Sequence, residues 1–184
     1  NPDTLISNNT LQVLYDFIEE NKNIGICGCK VEYPDGKYQL SSKRSFPYFD
    51  IALFRILKLD RLFSKNKYFG RYNYTYQDID EIADVDAVSG SCMMFKKKLI
   101  DVIGLFDGRY FLYFEDTDFC FRAVKNNYKV IYNPDTTIIH YKRESFKNSE
   151  YNLNYEFFKS LYYFYIKHYK EYKNFKLLKI IIKY

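Results

Sequence analysis

The chain has 184 residues, of which 47% are hydrophobic and 28% are charged, and this composition is typical of one globular domain, or part of one, with a sizeable core. No apolar run is long enough to span a bilayer. The net charge of +5 permits attraction to anionic lipid or to nucleotide phosphates without requiring either, and we expect no nucleic-acid partner.

The spacing of the cysteines and the number of aromatic residues give further information about the kind of protein. Cys27, Cys29, Cys92 and Cys120 lack the paired spacing of a zinc site, so we expect buried free thiols in a reducing, cytoplasmic compartment. Aromatic residues make up 21% of the chain, with 21 Tyr and 17 Phe. Two explanations stay open for this excess, a sugar-binding surface and the codon bias of an AT-rich genome.

The first half of the chain predicts alternating helix and strand. Leu11, Leu14, Phe17 and Ile18 recur on one helical face, and residues 24–33 then predict a strand. A Pro-Asp-Gly-Lys turn follows and predicts a hairpin into residues 38–40.

The middle of the chain is basic and then irregular. Residues 50–63 predict one amphipathic helix with Arg55, Lys58 and Arg61 interleaved, for which core packing and lipid contact are the alternatives. Residues 65–81 show no period, so we expect a mobile loop over an acceptor cleft.

Residues 85–97 predict a strand, a turn of small residues and a second strand. Gly90, between Ser89 and Ser91, favours close approach of a ligand to the backbone or, equally, a tight bend in a buried sheet. A short helix closed by Gly104 and a loop over residues 105–114 follow.

Residues 106–122, FDGRYFLYFEDTDFCFR, place four carboxylates among aromatic rings. Charges in such surroundings are costly to desolvate unless they meet a metal, a cation or a reacting proton. Glu115 and Asp116 repel each other, so one of them can be basic enough to take a proton from a hydroxyl. The alternative is that the acids only enrich the first turn of a helix. Asp118 and Arg122 are four residues apart and predict an intrahelical ion pair.

The C-terminal third contains β-rich runs and a helix. Residues 129–133 and 136–141 predict short strands ending at His140, and a lone His there is more often structural than a ligand. Residues 150–169 predict an aromatic helix, and the last residues alternate Lys with apolar side chains. Docking on a membrane surface and packing on the missing half of the domain are the alternatives for this end.

Four blocks of the sequence together resemble bacterial family-two glycosyltransferases, especially the rhamnosyltransferase-like group. Each block is weak alone, but their order over most of the chain makes a specific signal. The blocks are NPDT at residues 1–4, VDAVSGSCMMFKK at 85–97, GLFDGRYFLYFEDTDFCFR at 104–122 and YNPDTTIIHY at 132–141. NPDT recurs at residues 133–136, so its position rather than its letters carries weight.

The resemblance implies an α/β fold of the GT-A type, with a mixed sheet and flanking helices. It implies that residues 1–148 form the acceptor-side half of the catalytic domain, with the N-terminal half missing, and that residues 149–184 form a C-terminal amphipathic helical segment. The chain opens on Asn-Pro-Asp without Met, as if cut from something longer.

The resemblance also assigns site residues. Asp116 matches the general base and Glu115 its neighbour, which orients the base or the acceptor. Substrate contacts fall to Gly90, Ser91, Asp107 and Arg143, and Asp3 and His140 match ligands of a divalent metal, Mn²⁺ or Mg²⁺. Asp107 departs from the family pattern, because Gly108 replaces the Glu of a Phe-Asp-Glu triplet.

The implied reaction is an inverting transfer of a sugar from a nucleotide-diphosphate donor to a cell-surface glycan or lipid-linked acceptor, with peripheral contact at the inner face of the cell membrane. Two rival hypotheses stay open. One is a non-catalytic glycan-binding or partner module. The other is a metal-dependent hydrolase that uses Asp3, Asp116 and His140, and the lack of further ligands for a second metal disfavours it.

Overall fold

The computed structural model of the chain describes residues 1–141 and 152–170, and every structural statement below concerns those ranges. The strands are β1 Thr4–Ile6, β2 Ile24–Glu32, β3 Lys43–Arg44, β4 Ala83–Asp84, β5 Ala87–Val88, β6 Met93–Phe95 and β7 Lys129–His140. The α-helices are α1 Thr10–Glu20, α2 Phe49–Ile56, α3 Leu59–Leu62, α4 Lys97–Ile103, α5 Glu115–Lys125 and α6 Leu153–His168. Short 3-10 helices cover Leu40–Ser42 and Phe69–Asn73.

A mixed sheet of five strands organises the molecule. The strand order is β1-β7-β2-β6. The short strand β4 pairs with the N-terminal part of β7, on the same side of β7 as β1, which pairs with its C-terminal part. β2 and β7 run parallel, so Glu32 and Ile139 lie opposite each other near the carboxyl ends of both strands. β3 and β5 form a separate antiparallel pair. The mixed α/β class predicted from the sequence is confirmed.

Helices cover both faces of this sheet, because β2 and β7 carry apolar side chains on each side. On one face, Leu14 and Ile18 of α1 pack against a cluster that contains Cys27, Cys29 and Ile138. On the other face, α5 packs into a larger cluster of buried rings and aliphatic side chains from several elements, among them Phe119, Phe121, Ala123, Val130, Tyr132 and Phe164. Leu11, predicted to share the buried face of α1, is 59% exposed instead.

The C-terminal helix α6 packs on α5 of this same chain. Phe164 is fully buried, and its ring lies 5.4 Å from that of Phe121. The Tyr165 hydroxyl donates a hydrogen bond of 2.6 Å to the carbonyl of Pro47. Burial of each such side chain contributes on the order of 2 kcal/mol. The described part of the predicted C-terminal segment therefore belongs to the main core.

Three predicted elements differ from the observed ones. Residues 50–63 form two helices rather than one, because Lys58 takes a left-handed conformation with φ of 57° between α2 and α3. The predicted hairpin is reduced to a single bridge between Glu32 and Tyr38, after which the chain turns into the first 3-10 helix. The two predicted C-terminal runs form one strand, β7, which accommodates the second NPDT through a shift in its register with β2.

The structure also bears on two expectations from the sequence, the state of the cysteines and the presence of membrane-spanning helices. All four cysteines are free thiols, and Cys27, Cys29 and Cys120 are buried. Within residues 1–141 and 152–170, no helix combines the length and the apolar character needed to cross a membrane.

Candidate functional site

A strained turn directly before α5 sets the position of Glu115 and Asp116. Tyr113 and Phe114 precede α5 and have φ of 66° and 64°, a left-handed conformation that is rare for aromatic residues. Phe114 is buried, with its ring 5.3 Å from Phe157 of α6. Ser160 of α6 donates a hydrogen bond to the carbonyl of Leu112. Strain of this kind costs roughly 1–3 kcal/mol per residue and persists where the surroundings hold it, as α6 does here.

Asp116 is a buried carboxylate with several donors. Its Oδ2 accepts from Nη2 of Arg44 at 2.6 Å and from the backbone N–H of Gly90 at 2.9 Å. Its Oδ1 accepts from the N–H of Thr117 at 2.6 Å and from the Thr117 hydroxyl at 3.1 Å. The side chain of Asp116 is therefore fixed by the strand β3, the turn around Gly90 and its own helix.

Glu115 lies beside this pair in a different environment. Its Oε2 is buried and has no hydrogen-bond partner among the described residues. Burial, and then the charge of Asp116, raise the pKa of Glu115 to about 7. The raised pKa that the sequence predicted for one member of the pair thus falls on Glu115.

The turn at residues 89–91 closes one side of the carboxylate pair. A Cβ built on Gly90 would lie 3.4 Å from Cβ of Asp116 and 3.7 Å from Oε1 of Glu115. The Ser91 hydroxyl lies 2.9 Å from that of Ser89. Gly90 thus lies next to both carboxylates, and close approach of a ligand there, one of the two alternatives from the sequence, stays a prediction.

Asp3 and His140 lie next to each other at the sheet edge. Thr4 of β1 pairs with His140 of β7, which brings Nε2 of His140 to 3.5 Å from Oδ1 of Asp3. Both side chains are mostly buried. The structure thus brings together the two residues predicted as metal ligands, although 137 positions separate them in the sequence.

Gln39 orients His140. The buried Gln39 donates through Nε2 to the carbonyls of Glu32 and His140, so its Oε1 faces Nδ1 of His140 at 3.2 Å. Because Oε1 is an acceptor, Nδ1 must carry the hydrogen, and neutral His140 then presents the lone pair of Nε2 toward Asp3. This is the tautomer that a metal ligand needs, and a buried partner that fixes it is usual around metal-binding histidines.

The pair has suitable chemistry for a divalent cation. Octahedral ligation at about 2.1 Å leaves neighbouring ligand atoms about 3 Å apart, which is close to the observed separation. Within the described ranges, no further His, Cys, Asp or Glu joins the two into a cluster of three. An ion held here would take its other ligands from water and from substrate phosphates, as Mg²⁺ often does.

A short segment joins the two parts of the site. Gln39 contacts His140, its carbonyl accepts from the N–H of Ser42, and Arg44 follows two residues later to contact Asp116. This segment starts where β2 and β7 end, and ligands commonly bind beyond the carboxyl ends of parallel strands. Sequence reasoning missed both residues, because Gln39 fell in the predicted hairpin strand 38–40 and Arg44 in residues 41–48, which showed only a polar and basic composition.

Asp107 and Asp118 bind cations of the protein itself. Asp107 contacts Nη2 of Arg109 at 2.6 Å and Nζ of Lys167 at 2.7 Å, and the hydrogen bonds from Arg109 hold its pKa well below the ordinary value. The predicted pair of Asp118 with Arg122 is confirmed at 2.8 Å. Burial would raise the pKa of Asp118, but hydrogen bonds, the largest of them from His168, lower it overall.

Lys167 and His168 of α6 each contact Asp118 at 2.7 Å, and the sequence did not predict either contact. The structure therefore shows Asp107 tied to the protein, and its predicted substrate contact stays a prediction. Arg143, also predicted to contact substrate, lies outside the described residues.

Comparison with known proteins agrees with the four sequence blocks. A family model described as "Glycosyltransferase like family 2" matches residues 2–154. An N-acetylglucosaminyl-diphospho-decaprenol L-rhamnosyltransferase of Mycobacterium tuberculosis is 26% identical over 145 residues, which are 79% of this chain and 46% of that protein. A low-salt glycan biosynthesis hexosyltransferase, Agl10, of Haloferax volcanii is 37% identical over 46 residues, 25% of this chain and 15% of that protein. The chain thus spans less than half the length of these relatives.

Proposed function

The chain belongs to the glycosyltransferase family 2-like proteins, and we propose that it takes part in an inverting transfer of a hexose or deoxyhexose from a nucleotide-diphosphate donor to an acceptor hydroxyl. The observation that carries this proposal is the adjacent pair of buried Asp116 and half-buried Glu115, beside the exposed Gly90. One carboxyl of the pair has a pKa of about 7, which suits a group that must accept a proton at neutral pH.

The chemistry at the pair needs an accurately placed acceptor. The acceptor oxygen attacks the anomeric carbon in line while its proton passes to the carboxylate pair, of which the family resemblance assigns Asp116 as the base. The bond from the anomeric carbon to the diphosphate oxygen breaks, and its electron pair leaves with the nucleoside diphosphate. The segment from Gln39 to Arg44 links the pair to the sheet edge, because Gln39 contacts His140 and Arg44 contacts Asp116. Gly90 leaves room for the sugar because it has no side chain.

Asp3 and His140 would hold the divalent cation, Mn²⁺ or Mg²⁺, with Gln39 presenting Nε2 of His140. Such a cation offsets the charge of a leaving nucleoside diphosphate. Asp3 and His140 contribute one carboxylate and one imidazole, a ligand set that Mn²⁺ accepts.

The acceptor that we propose is a cell-surface glycan or its lipid-linked precursor. The mycobacterial relative is named for a diphospho-decaprenol acceptor, which is a membrane lipid. An enzyme that uses such an acceptor must work at a membrane surface. The four free thiols fit the reducing, cytoplasmic side of that membrane.

We assign the membrane contact to residues 53–68, called here the basic apolar segment. The ring of Phe54 lies 5.0 Å from that of Tyr68, and Phe63 packs at 5.3 Å on Phe69, which directly follows the segment. Large apolar side chains nevertheless stay exposed, most of all Leu62 at 72%. Five exposed basic residues surround them, with one acid, Asp60, and they are Arg55, Lys58, Arg61, Lys65 and Lys67. Exposed leucine and aromatic side chains among lysines match the chemistry of an anionic lipid surface.

The proposed function is tested by release of nucleoside diphosphate and formation of product. The protein expressed from its natural reading frame is incubated with a panel of nucleotide sugars, with and without a polyprenyl-diphosphate-linked acceptor. We expect turnover that depends on acceptor and is lost in the Glu115→Gln, Asp116→Asn double variant. Turnover without acceptor would indicate a hydrolase. No turnover, together with a double variant that still supports function in cells, would indicate the binding module.

A further inference from the structure

Cys29 and Cys92 lie opposite each other on neighbouring strands. β2 and β6 pair antiparallel as far as Gly28 opposite Met93, so the next position along this register sets Cys29 opposite Cys92. Opposed residues of an antiparallel pair have Cα atoms about 4.5–5.5 Å apart, and a disulfide needs a separation of about 4.4–6.8 Å. Both side chains belong to the cluster that α1 covers on one face of the sheet. The backbone therefore already has the spacing that a disulfide requires.

The two thiols differ in their reactivity. Hydrogen bonding between them raises the pKa of Cys29 and lowers the pKa of Cys92. Cys29 is also buried, whereas Cys92 is half-buried. The thiolate is the form that reacts with oxidants, so Cys92 is the reactive thiol and Cys29 is its protonated partner. A thiol of low pKa with access to solvent and a second thiol beside it is the usual arrangement of a redox-sensing cysteine.

Cys92 ends the turn that carries Gly90. Its N–H donates to the carbonyl of Ser89 at 3.1 Å, and the N–H of Gly90 donates to Oδ2 of Asp116 at 2.9 Å. A change in the position of Cys92 is therefore transmitted to a hydrogen-bond donor of the carboxylate pair.

A disulfide at this position would move β6 rather than β2. Opposed residues have Cβ atoms about 4.5–5.5 Å apart, and a disulfide brings them to about 3.5–4.5 Å. β6 has three residues and lies at the edge of the sheet, whereas β2 is held between β7 and β6. Closing the bond would thus draw β6 toward β2 and shift the turn at residues 89–91.

We propose that Cys92 and Cys29 form a peroxide-sensitive pair, and that the disulfide between them displaces the turn at Gly90 and slows the enzyme. The bond and the displacement stand independently of the proposed function, whereas the effect on sugar transfer rests on it. Thiol pairs of this kind suit a reducing compartment, where disulfides are usually transient and redox-sensing.

Hydrogen peroxide is the oxidant in this step. The Cys92 thiolate attacks one peroxide oxygen, the O–O bond breaks, and the other oxygen leaves as hydroxide and takes up a proton to form water. Cys92 is then a sulfenic acid, whose sulfur is attacked by the sulfur of Cys29. The S–O bond breaks, and the departing hydroxide takes the Cys29 thiol proton to form a second water. Two thiols have lost two electrons and two protons, and a small thiol such as glutathione reverses the change by exchange.

The bond is tested by mass spectrometry on the folded protein. The protein is treated with hydrogen peroxide, the remaining thiols are blocked with N-ethylmaleimide, and linked peptides are sought without reduction. We expect the peptide that contains Cys29 to be joined to the one that contains Cys92 and to be released by dithiothreitol. In Cys29→Ala, the sulfenic acid of Cys92 should accumulate and react with dimedone.

Matched controls identify the partner thiol. No Lys or Arg separates Cys27 from Cys29, so both lie in one tryptic peptide and the variants must distinguish them. Cys27→Ala and Cys120→Ala should still form the bond, whereas Cys29→Ala and Cys92→Ala should not. Thiols that all stay free after peroxide, a bond that survives in Cys29→Ala, or a bond between two chains would overturn the pair.

The displacement of the turn is tested by hydrogen–deuterium exchange and by turnover. Amides of residues 89–92 should exchange faster in the oxidised protein, because the Gly90 N–H is drawn away from Asp116. Oxidised wild type should release nucleoside diphosphate roughly 10- to 100-fold more slowly, since a shift of about 1 Å near reacting groups can cost that much. Dithiothreitol should restore the rate, and Cys92→Ala should be active and insensitive to peroxide.

The outcomes separate the pair from the proposed function. A Cys29–Cys92 bond that leaves both exchange and turnover unchanged overturns the displacement of the turn. A reduced, folded wild type that transfers no sugar from any donor of the panel removes the proposed function, while the linked peptides and the exchange of residues 89–92 still decide the thiol pair.

Discussion

Nη2 of Arg44 lies 2.6 Å from Oδ2 of Asp116, although 72 positions separate the two residues. Both side chains are largely buried, at 15% and 10% exposure. Replacing Arg44 by Met leaves Asp116 buried without its cation, and such losses cost about 3–5 kcal/mol. We expect Arg44→Met to lower the free energy of unfolding by that order, measured by urea denaturation at pH 7.

The matched control for Arg44 is Arg109→Met. Arg109 contacts Asp107 at the same distance of 2.6 Å, but its side chain is 63% exposed. Exposed pairs contribute about 1 kcal/mol or less, so this variant should stay close to the wild type. Equal losses in the two variants would contradict a special role for the buried pair.

Glu115→Gln should change how stability depends on pH. The folded protein raises the pKa of Glu115 from 4.5 to about 7, so folding favours the protonated carboxyl. The stability that this group contributes is present below about pH 4.5 and is lost as the pH rises through 7, by about 3 kcal/mol in total. Glu115→Gln lacks this loss, so it should unfold at a higher temperature than the wild type at pH 8 and match it at pH 4.5.

Thermal unfolding followed by circular dichroism across this pH range measures the effect. Glu19→Gln, at an exposed position of α1, serves as the control and should track the wild type. A Glu115→Gln variant that is less stable than the wild type at pH 8 would mean that the ionised Glu115 is stabilised by contacts other than those described.

Gln39→Ala should weaken metal binding. The substitution removes the acceptor that fixes the Nδ1–H tautomer of His140, so Nε2 is no longer held toward Asp3. Loss of such supporting contacts typically lowers metal affinity 10- to 100-fold. Titration with Mn²⁺ in the presence of a nucleoside diphosphate, followed by the electron paramagnetic resonance of free Mn²⁺, measures this change.

Gln12→Ala, at an exposed glutamine of α1, should bind Mn²⁺ like the wild type. His140→Ala should abolish binding. A folded Gln39→Ala protein with unchanged Mn²⁺ affinity would show that Gln39 does not position His140 for a metal.

The basic apolar segment should bind anionic membranes. We expect the wild type to float with vesicles that contain phosphatidylglycerol, and to do so less at high salt, where the lysines and arginines are screened. Vesicles of phosphatidylcholine alone should bind it weakly. The double variant Leu62→Glu, Phe63→Glu should lose flotation, because it places two acids in the exposed apolar patch.

Leu11→Glu is the control, since Leu11 is an exposed leucine of α1 outside the segment. It should float like the wild type. If the wild type does not float, or if the double variant instead converts a dimer to a monomer in analytical ultracentrifugation, the segment is not a lipid-binding surface.

Local sequence patterns predicted the helices α4 and α5 correctly. The acids of residues 115–118 start α5, and Asp118 contacts Arg122 one turn later, because residues four apart share a helix face. Gly104 ends α4 with φ of 75°, a conformation that glycine adopts without strain. The predicted single helix over residues 50–63 was wrong, because apolar spacing does not reveal the left-handed break at Lys58.

The sequence by itself determined the α/β class, the family blocks and the residue types that could carry the chemistry. Only the tertiary structure decided their partners. Gln39 meets His140 across 101 positions, and Arg44 meets Asp116 because the two-residue strand β3 pairs with β5. Strand pairing and helix packing set such contacts over long separations, and a strand of two residues is too short to leave a periodic signal. Those contacts determine which donors reach Asp116 and His140, and no spacing along the chain reveals them.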